Sequence, residues 1–568
     1  MEALRGLATS PLLPPLLLLA GPVALSFAHP TRSRPDRLLA WALILLGASF
    51  AALVSQVFQR GLPLFALTWQ PSLQDSFQFV WLHVGWNWNI SLLAGILGAA
   101  GLLCSAQRLS DPEAMSAEDR FFFTRFLALN LATLACVWLL VNSGNILTTV
   151  FTWVLLDVML VFRHTQVMNQ HAVVQEEWSV VYHRALGMGM LGTLVLLIGL
   201  FPAGVNGPNQ MLIGSSLPIE TLYALFIAGA VRGGAYPLHL WLLPSSHLNL
   251  SVSERIFSQV LPALSGLWLL GLTLELAQRQ PEIRALVLPA IALMCLISAV
   301  ACLHRGSRSL RRKSVIVTSV SLTGLAAMLG FGQGPMATLS WVAACCLSGA
   351  LWLVAQRLPP TRVGLALHLL GILGLLGMPL TPGFIALARW LQPGALPPAS
   401  VVSATFLLAV LLFSASLWRP WLDALRRMQA GIPLHRDPQL GAACLLAVSN
   451  LLLGIVPGWI WLHAGGAELP SLWASLGQLR SPMVLAYTAV ATGGGLSVGW
   501  MLTRVREPAS RLLRKITLGL SLEWVSVGIQ FGAARISVLW SNTLNVIEGS
   551  GLVGWSVALL VLLRAILR

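Results

Sequence analysis

Apolar runs of about 20 residues recur from one end of this chain to the other, and no other feature constrains its fold as tightly. A helix of that length spans a bilayer core, where only helices and closed barrels satisfy their own backbone polar groups. Of 568 residues, 56% are hydrophobic and 10% charged, a balance that no soluble globular domain has. About sixteen candidate spans lie near 8–28, 37–57, 84–105, 121–142, 145–163, 184–203, 218–243, 256–277, 285–303, 314–331, 337–356, 363–391, 400–419, 438–463, 481–503 and 550–567. The expected fold class is an all-α polytopic membrane protein with about 14–16 transmembrane helices.

A net charge of +15 invites a nucleic-acid reading, but the basic residues are distributed as the positive-inside rule requires. Arg32, Arg34 and Arg37 follow the first span, and Arg108 and Arg120 the third. Arg163 and Arg184 flank the link after the fifth, and Arg305, Arg308, Arg311, Arg312 and Lys313 fill the loop after the ninth. Arg357 and Arg362 follow the eleventh span; Arg419, Arg426, Arg427 and Arg436 follow the thirteenth. Intervening loops at 204–217, 332–336 and 391–399 carry neither Lys nor Arg, and Arg279 and Arg284 in 278–284 are the one mild exception. This pattern predicts a cell (inner) membrane protein with basic loops in the cytoplasm and both termini outside. No basic stripe interleaves with aromatics, so nucleic acid is excluded as a partner. The seven cysteines fall mostly within apolar helices and form no Cys-x-x-Cys, so they read as small buried hydrophobes, with no metal and no cofactor expected.

Two spans are interrupted. One breaks at Arg232-Gly233-Gly234-Ala235-Tyr236-Pro237, the other at Met378-Pro379-Leu380-Thr381-Pro382-Gly383. Proline removes a backbone donor and clashes with the preceding turn, so each span is expected to split into two half-helices at Pro237 and at Pro379, Pro382 and Gly383. Freed carbonyls at membrane depth require protein or a water-filled cavity around them. Spans four to eight and nine to thirteen each contain five helices with the interruption in the fourth. Five is odd, so the second set is expected to run inverted relative to the first, as in transporter repeats. The predicted divisions are N-terminal helices at 1–120, repeats at 121–277 and 284–419, additional helices at 438–504, an amphipathic lateral segment at 505–547 and a last span at 550–568. Segment 58–83 reads as a long outer excursion, followed by an interfacial aromatic belt of Trp81, Trp86 and Trp88. Gly187-Met-Gly189-Met-Leu-Gly192 satisfies a dinucleotide fingerprint, but inside an apolar span its small residues read as helix packing.

The stretch Gly229-Ala-Val-Arg-Gly-Gly-Ala-Tyr-Pro237-Leu-His239-Leu-Trp241-Leu resembles Gly-x-x-Lys-Ser-Ala-x-x-Pro-Leu-His-x-Trp-Leu. That motif marks the seventh span of the antiporter-like subunit family, which comprises the L, M and N subunits of bacterial complex I and relatives in multisubunit Na+/H+ antiporters and membrane hydrogenases. Met378 to Gly383-Phe384 resembles the family's Pro-x-x-x-Gly-Phe at the twelfth span, and Arg120 to Asn130 followed by Trp153 to Asp157 resembles its fourth and fifth. Asn545-Val-Ile-Glu548-Gly549 in the tail also looks like some members. The resemblance implies fourteen core helices in two inverted five-helix repeats, and a hydrated midplane path for protons.

Asp157 stands where the family has its helix-five glutamate, and Arg232 where it has its helix-seven lysine. Two readings are open: a static salt bridge between two repeat helices, or a gate whose opening moves protons. Arginine does not lose its proton as a buried lysine can, so Arg232 is expected to act as a fixed charge. The other relay positions have departed: the chain has only two lysines, Lys313 and Lys515. Where the family has a histidine after the first break, this chain has Phe257, and Cys345-Cys346-Leu347 replaces its titratable eleventh-span run. Leu387 replaces the twelfth-span lysine, with Arg389 two residues on, either a substitute or an arginine snorkelling to the interface. His239 matches a family position and reads as a channel-mouth or loop residue; His368 is the best remaining titratable candidate in the second half.

The expected function is that of an antiporter-like subunit, proton-translocating or degenerate and serving as a scaffold, in a redox-linked complex of the NADH–quinone oxidoreductase type. No catalytic motif of its own is present, so electron transfer would belong to partners. Other membrane subunits, lipid and protons, with Na+ as an alternative ion, are the expected partners. Two other readings are a membrane partner in energy-coupled inorganic-carbon uptake and a subunit of a multisubunit Na+/H+ antiporter.

Overall fold

In the computed structural model, the described residues are 10–27, 34–56, 64–68, 78–83, 85–109, 115–170, 175–203, 211–212, 217–242, 250–277, 281–303, 308–329, 335–391, 401–428, 438–456, 476–504 and 507–520, with a few isolated positions beyond. Met1–Leu520 form one unit and Ser521–Arg568 a second; every element below belongs to the first. The span expected at 550–568 lies outside the described residues, as does most of the tail beyond residue 520.

The chain enters through α1 (Leu13–Phe27) and α2 (Pro35–Ser55), then forms an antiparallel hairpin of β1 (Leu64–Thr68) and β2 (Gln78–Leu82). Long helices follow: α3 (Gly85–Ser105), α4 (Ala117–Val141), α5 (Ile146–Gln170), α6 (Gln175–Ala203) and α7 (Ile219–Gly233). Helix α8 begins as Val252–Arg255, passes through a π turn at Ile256–Val260 and continues as Leu261–Ala277. Next come α9 (Pro281–Cys302), α10 (Arg308–Leu329) and α11, whose parts Pro335–Ala343 and Gly349–Ala355 flank a second π turn at Ala344–Ser348. The second interrupted span is α12 (Arg362–Leu375) plus α13 (Pro382–Trp390). Then follow α14 (Val401–Arg426) and α15 (Pro438–Ile455). Helix α16 joins Pro482–Ala489 and Gly495–Arg504 through a π turn at Val490–Gly494, and α17 is Glu507–Leu520.

Among the described residues, eight helices are long and apolar enough to cross a membrane, and four shorter apolar helices accompany them. The protein is an all-α polytopic membrane protein apart from its one hairpin. Burial separates the inner helices from the outer ones. The whole apolar window of α8 is buried and 94% of that of α11, against 22% for α6. Met190, Leu194, Ile198 and Phe201 leave α6 exposed at helical spacing, the mark of a face turned toward lipid or another chain.

Small residues set the tightest crossing. A Cβ on Gly266 of α8 would lie 2.1 Å from the Gly233 nitrogen of α7, and one on Gly229 would lie 2.9 Å from the Leu270 nitrogen. Gly229 and Gly233 are four residues apart, so one face of α7 meets α8 backbone to backbone.

Several expectations need correction. The excursion at 58–83 contains the β-hairpin, whose Phe79 and Trp81 pack with Leu139 of α4. Trp81 and Trp86 are buried and so pack inside the protein, and form no interfacial belt; Trp88 is half-buried and donates to the Leu53 carbonyl at 2.9 Å. His83, between the hairpin and α3, is buried, and loss of water pushes its imidazole down to about 3. Arg312 and Lys313 are not loop residues, and the fifth span does not end at Arg163: the helices run past the apolar windows, and all three are buried on inner faces. Lipid-length windows end where charge begins, but a helix buried against other helices does not have to.

Candidate functional site

At the first break, α7 ends where Gly234 takes a left-handed conformation with φ of 79°, and the Gly234 and Ala235 amides turn back to the Ala230 carbonyl at 3.1 and 2.9 Å. Trp241 Nε1 donates to the freed Val231 carbonyl at 2.6 Å from the short 3₁₀ turn His239–Trp241. The break is therefore closed by its own downstream residues. Pro237 follows Tyr236, whose ring stacks on His239 at 5.3 Å. His239 is buried in that turn.

Arg232, in the last turn of α7, projects toward α5. Its Nη1 lies 2.7 Å from Asp157 Oδ1, and the guanidinium stands 4.0 Å over the Trp153 ring. Nη2 reaches the Trp153 carbonyl at 3.5 Å. Trp153 and Asp157 are one helical turn apart on α5, so the same face supplies a carboxylate, a carbonyl and a π surface to one cation. Arg232 is 5% exposed and Asp157 20%. A buried guanidinium held from three directions is a fixed charge, because it neither deprotonates nor pivots freely.

The carboxylate has a second side. Thr193 Oγ1 of α6 approaches Asp157 Oδ2 at 3.4 Å, and a Cβ on Gly189 would come within 3.1 Å of Oδ1. The Gly187–Gly192 run thus serves packing, with Gly189 making room for the carboxylate and Gly192 for the Trp153 ring. Asp157 and Arg232 line a cavity of about 740 Å³ between α5, α6 and α7, walled mainly by apolar residues such as Val158, Met190 and Leu194.

The second break is built from the same backbone devices without the charge. Gly377 has φ of 64°, and Leu380 adopts φ of 70°, a conformation L side chains rarely take. The Met378 amide turns back to the Leu373 carbonyl at 2.9 Å, and Thr381 Oγ1 donates to the Met378 carbonyl at 2.7 Å. Tyr487 Oη of α16 donates to the Leu376 carbonyl at 2.9 Å. A Cβ on Gly454 of α15 would lie 2.2 Å from the Leu380 oxygen, and one on Gly383 2.9 Å from the Gly377 Cα. Pro379 and Pro382 bound the turn, and Leu387 is fully buried in α13. The backbone of Arg389 belongs to α13; its side chain lies outside the described residues.

His368 is not at this break. It stands ten residues upstream of Met378 on α12, about 15 Å by helical rise. Its ring meets the edge of Trp352 at 6.4 Å. Two π turns interrupt the inner helices α8 and α11. One holds Phe257, the other Cys345, Cys346 and Ser348. Here Asn450 Nδ2 donates to Ser348 Oγ at 2.9 Å, and Thr323 Oγ1 approaches Cys345 Sγ at 3.6 Å.

One buried cation was not singled out from the sequence. Arg163 of α5 is 2% exposed, donates to Asn130 Oδ1 of α4, and lies 5.6 and 5.3 Å from the Phe126 and Phe257 ring centroids. Its neighbour Glu254 is also buried and closes a capping box with Ser251 at the start of α8. The Ser-x-x-Glu pattern at 251–254 was the available signal. Among the described residues, no three His, Cys, Asp or Glu side chains gather as metal ligands.

Neither a family model nor a curated protein matches the sequence. Solved structures do match in fold. The Mrp complex from Dietzia sp. DQ12-45-1b contains a chain that aligns over 93% of this one with a TM-score of 0.70 and 15% identity. This chain spans 60% of that chain's length. Respiratory complex I from Thermus thermophilus, with bound NADH, contains one aligning over 85% of this chain and 100% of its own, with a TM-score of 0.62 and 16% identity. The chain therefore shares its fold with a chain of each of these two complexes.

Proposed function

We propose that this chain is an antiporter-like subunit of a redox-linked membrane complex of the NADH–quinone oxidoreductase type, in which the proton relay is reduced to a fixed charge pair. The observation that carries this is the contrast between the breaks: Arg232 is held by Asp157, the Trp153 ring and a carbonyl, while Leu387 is buried and apolar where a relay lysine would stand. A continuous midplane path needs groups that both take up and release protons. Arg232 does not release one, and Phe257, Cys345 and Cys346 supply no base at neutral pH. On this reading the subunit acts mainly as a scaffold within its complex, with repeats at 121–277 and 284–419, basic loops in the cytoplasm and both termini outside. Electron transfer belongs to partner subunits.

One observation favours a conducting role instead: Asp157 lines the 740 Å³ cavity and is 20% exposed, against 5% for Arg232. Two measurements decide. Affinity purification of the tagged chain from its native membrane is expected to bring down quinone-oxidoreductase or hydrogenase subunits. Recovery of a single large zinc-binding protein alone would transfer support to inorganic-carbon uptake. In proteoliposomes with an imposed potential, the isolated wild-type chain is expected to show no proton flux above empty vesicles. Flux that Asp157→Asn abolishes would overturn the scaffold reading.

A further inference from the structure

Helix α17 opens the segment read from the sequence as amphipathic, and its two sides are unlike. At about 100° per residue, Ala509, Leu512, Leu513, Ile516 and Leu520 share an arc of about 100°. Arg511, Arg514 and Lys515 share an arc of similar width on the far side. The helix packs against α9, with Thr517 buried and Leu513 and Leu520 half-buried. Part of the apolar side stays uncovered: Leu512 is 62% exposed and Ile516, one turn on, 45%. The three basic side chains are exposed as well, and among the described residues none makes a side-chain hydrogen bond or ion pair. An open apolar pair beside three unpaired cations is a poor surface for water and a good one for a layer of lipid headgroups.

The helix before it fixes the depth. The span expected at 481–503 is α16, which ends at Arg504. Its guanidinium lies 3.8 Å from the centroid of the Trp500 ring, itself 43% exposed. A half-exposed indole with an arginine over it marks the level at which a span leaves the hydrocarbon. Helix α14 ends beside it, where Arg426 Nη2 donates to Thr503 Oγ1 at 3.1 Å. Only Val505 and Arg506 separate α16 from α17. Fully extended, that link carries the start of α17 no further than about 10 Å from the end of the span. A headgroup layer is itself about 5–8 Å deep, so the first turn of α17 is held at the membrane surface.

We propose that α17 is a surface helix that binds an anionic lipid leaflet, with Leu512 and Ile516 among the acyl chains and Arg511, Arg514 and Lys515 on headgroup phosphates. The long basic side chains reach past the helix to that level while their stems cover its apolar flank. Net negative charge in the leaflet favours the contact about fivefold for each basic residue near it, which a zwitterionic surface does not. Arg426, Arg427 and Arg504 gather at this end of the bundle, the end expected to face the cytoplasm, whose leaflet carries the anionic lipid.

The test uses the full-length chain in lipid nanodiscs. Cys444, the exposed cysteine, is first replaced by serine, and an environment-sensitive fluorophore is attached through Leu512→Cys or, as the contrast, Arg514→Cys. The label at 512 is expected to be quenched by a nitroxide on the lipid acyl chain and not by iodide in the water, and the label at 514 by iodide. Quenching at 512 by iodide overturns the proposal. Quenching there by neither agent also overturns it, because another part of the chain then covers the apolar side. Amide exchange over 507–520 is expected to be slower in discs containing phosphatidylglycerol than in pure phosphatidylcholine. Lys515→Gln is expected to remove about fivefold of that slowing and to leave exchange in phosphatidylcholine unchanged, which a folding defect does not do. Equal exchange of the wild type in the two lipids overturns the proposal.

Discussion

The two helix breaks solve one problem in two ways. Each stops a helix inside the bundle, turns the chain through a left-handed residue and folds the next amide back on the last helical turn. They differ in what surrounds the loose ends. At the first, an arginine remains, and α5 supplies its carboxylate, a carbonyl and an indole face. At the second, a tyrosine hydroxyl from α16 and a threonine hydroxyl satisfy the carbonyls, and the flanking side chains are apolar. Backbone interruption and charge are therefore separable: a kink stabilised by packing and local hydrogen bonds needs no titratable group beside it.

This separation can be attacked experimentally, with unfolding in detergent compared at one heating rate because such transitions are often irreversible. The largest effect is expected from Asp157→Ala, which leaves Arg232 buried beside an empty place. The cost is about 3–5 kcal/mol, read as a large drop in unfolding temperature. A neutral result would mean that Arg232 is hydrated and that the first break is wet. Leu387→Lys places a cation in the second break with no carboxylate facing it in the described residues. It is expected to cost about 2.5–3.5 kcal/mol and to lower the yield of folded protein. Unchanged stability would erase the contrast between the two halves. Tyr487→Phe removes the donor to the Leu376 carbonyl and is expected to cost about 1–3 kcal/mol, with circular dichroism unchanged. Thr193→Val tests the long 3.4 Å contact to Asp157 and is expected to move stability by less than about 1 kcal/mol. A shift comparable to that of Asp157→Ala would show that the carboxylate depends on α6 as much as on Arg232.

Both breaks and both members of the charge pair were legible in the sequence, because Pro-Gly clusters and intramembrane charges are rare enough to stand out in apolar runs. Membership of Arg163, Arg312 and Lys313 in the interior was not legible. A charge at the edge of an apolar window reads as the end of a span, whereas these helices continue and bury the charge: Arg163 meets Asn130 of α4, and Arg312 meets Gln356. The tryptophans near residue 81 misled for a related reason, since an indole at a membrane edge and one packed under a hairpin share the same sequence context. Tyr487, 111 positions from the carbonyl it satisfies, carried no local signal at all.

The glycine contact between α7 and α8 has a mechanical corollary. With the chain of one helix resting directly on that of the other, the segment ending at Gly233 has no side-chain cushion on which to roll. It behaves as a fulcrum. Displacement transmitted to the arginine must then arrive by tilting of α5 and α6, the arms on the open side, and a methyl group added at Gly266 would pry the joint apart before it altered any charge.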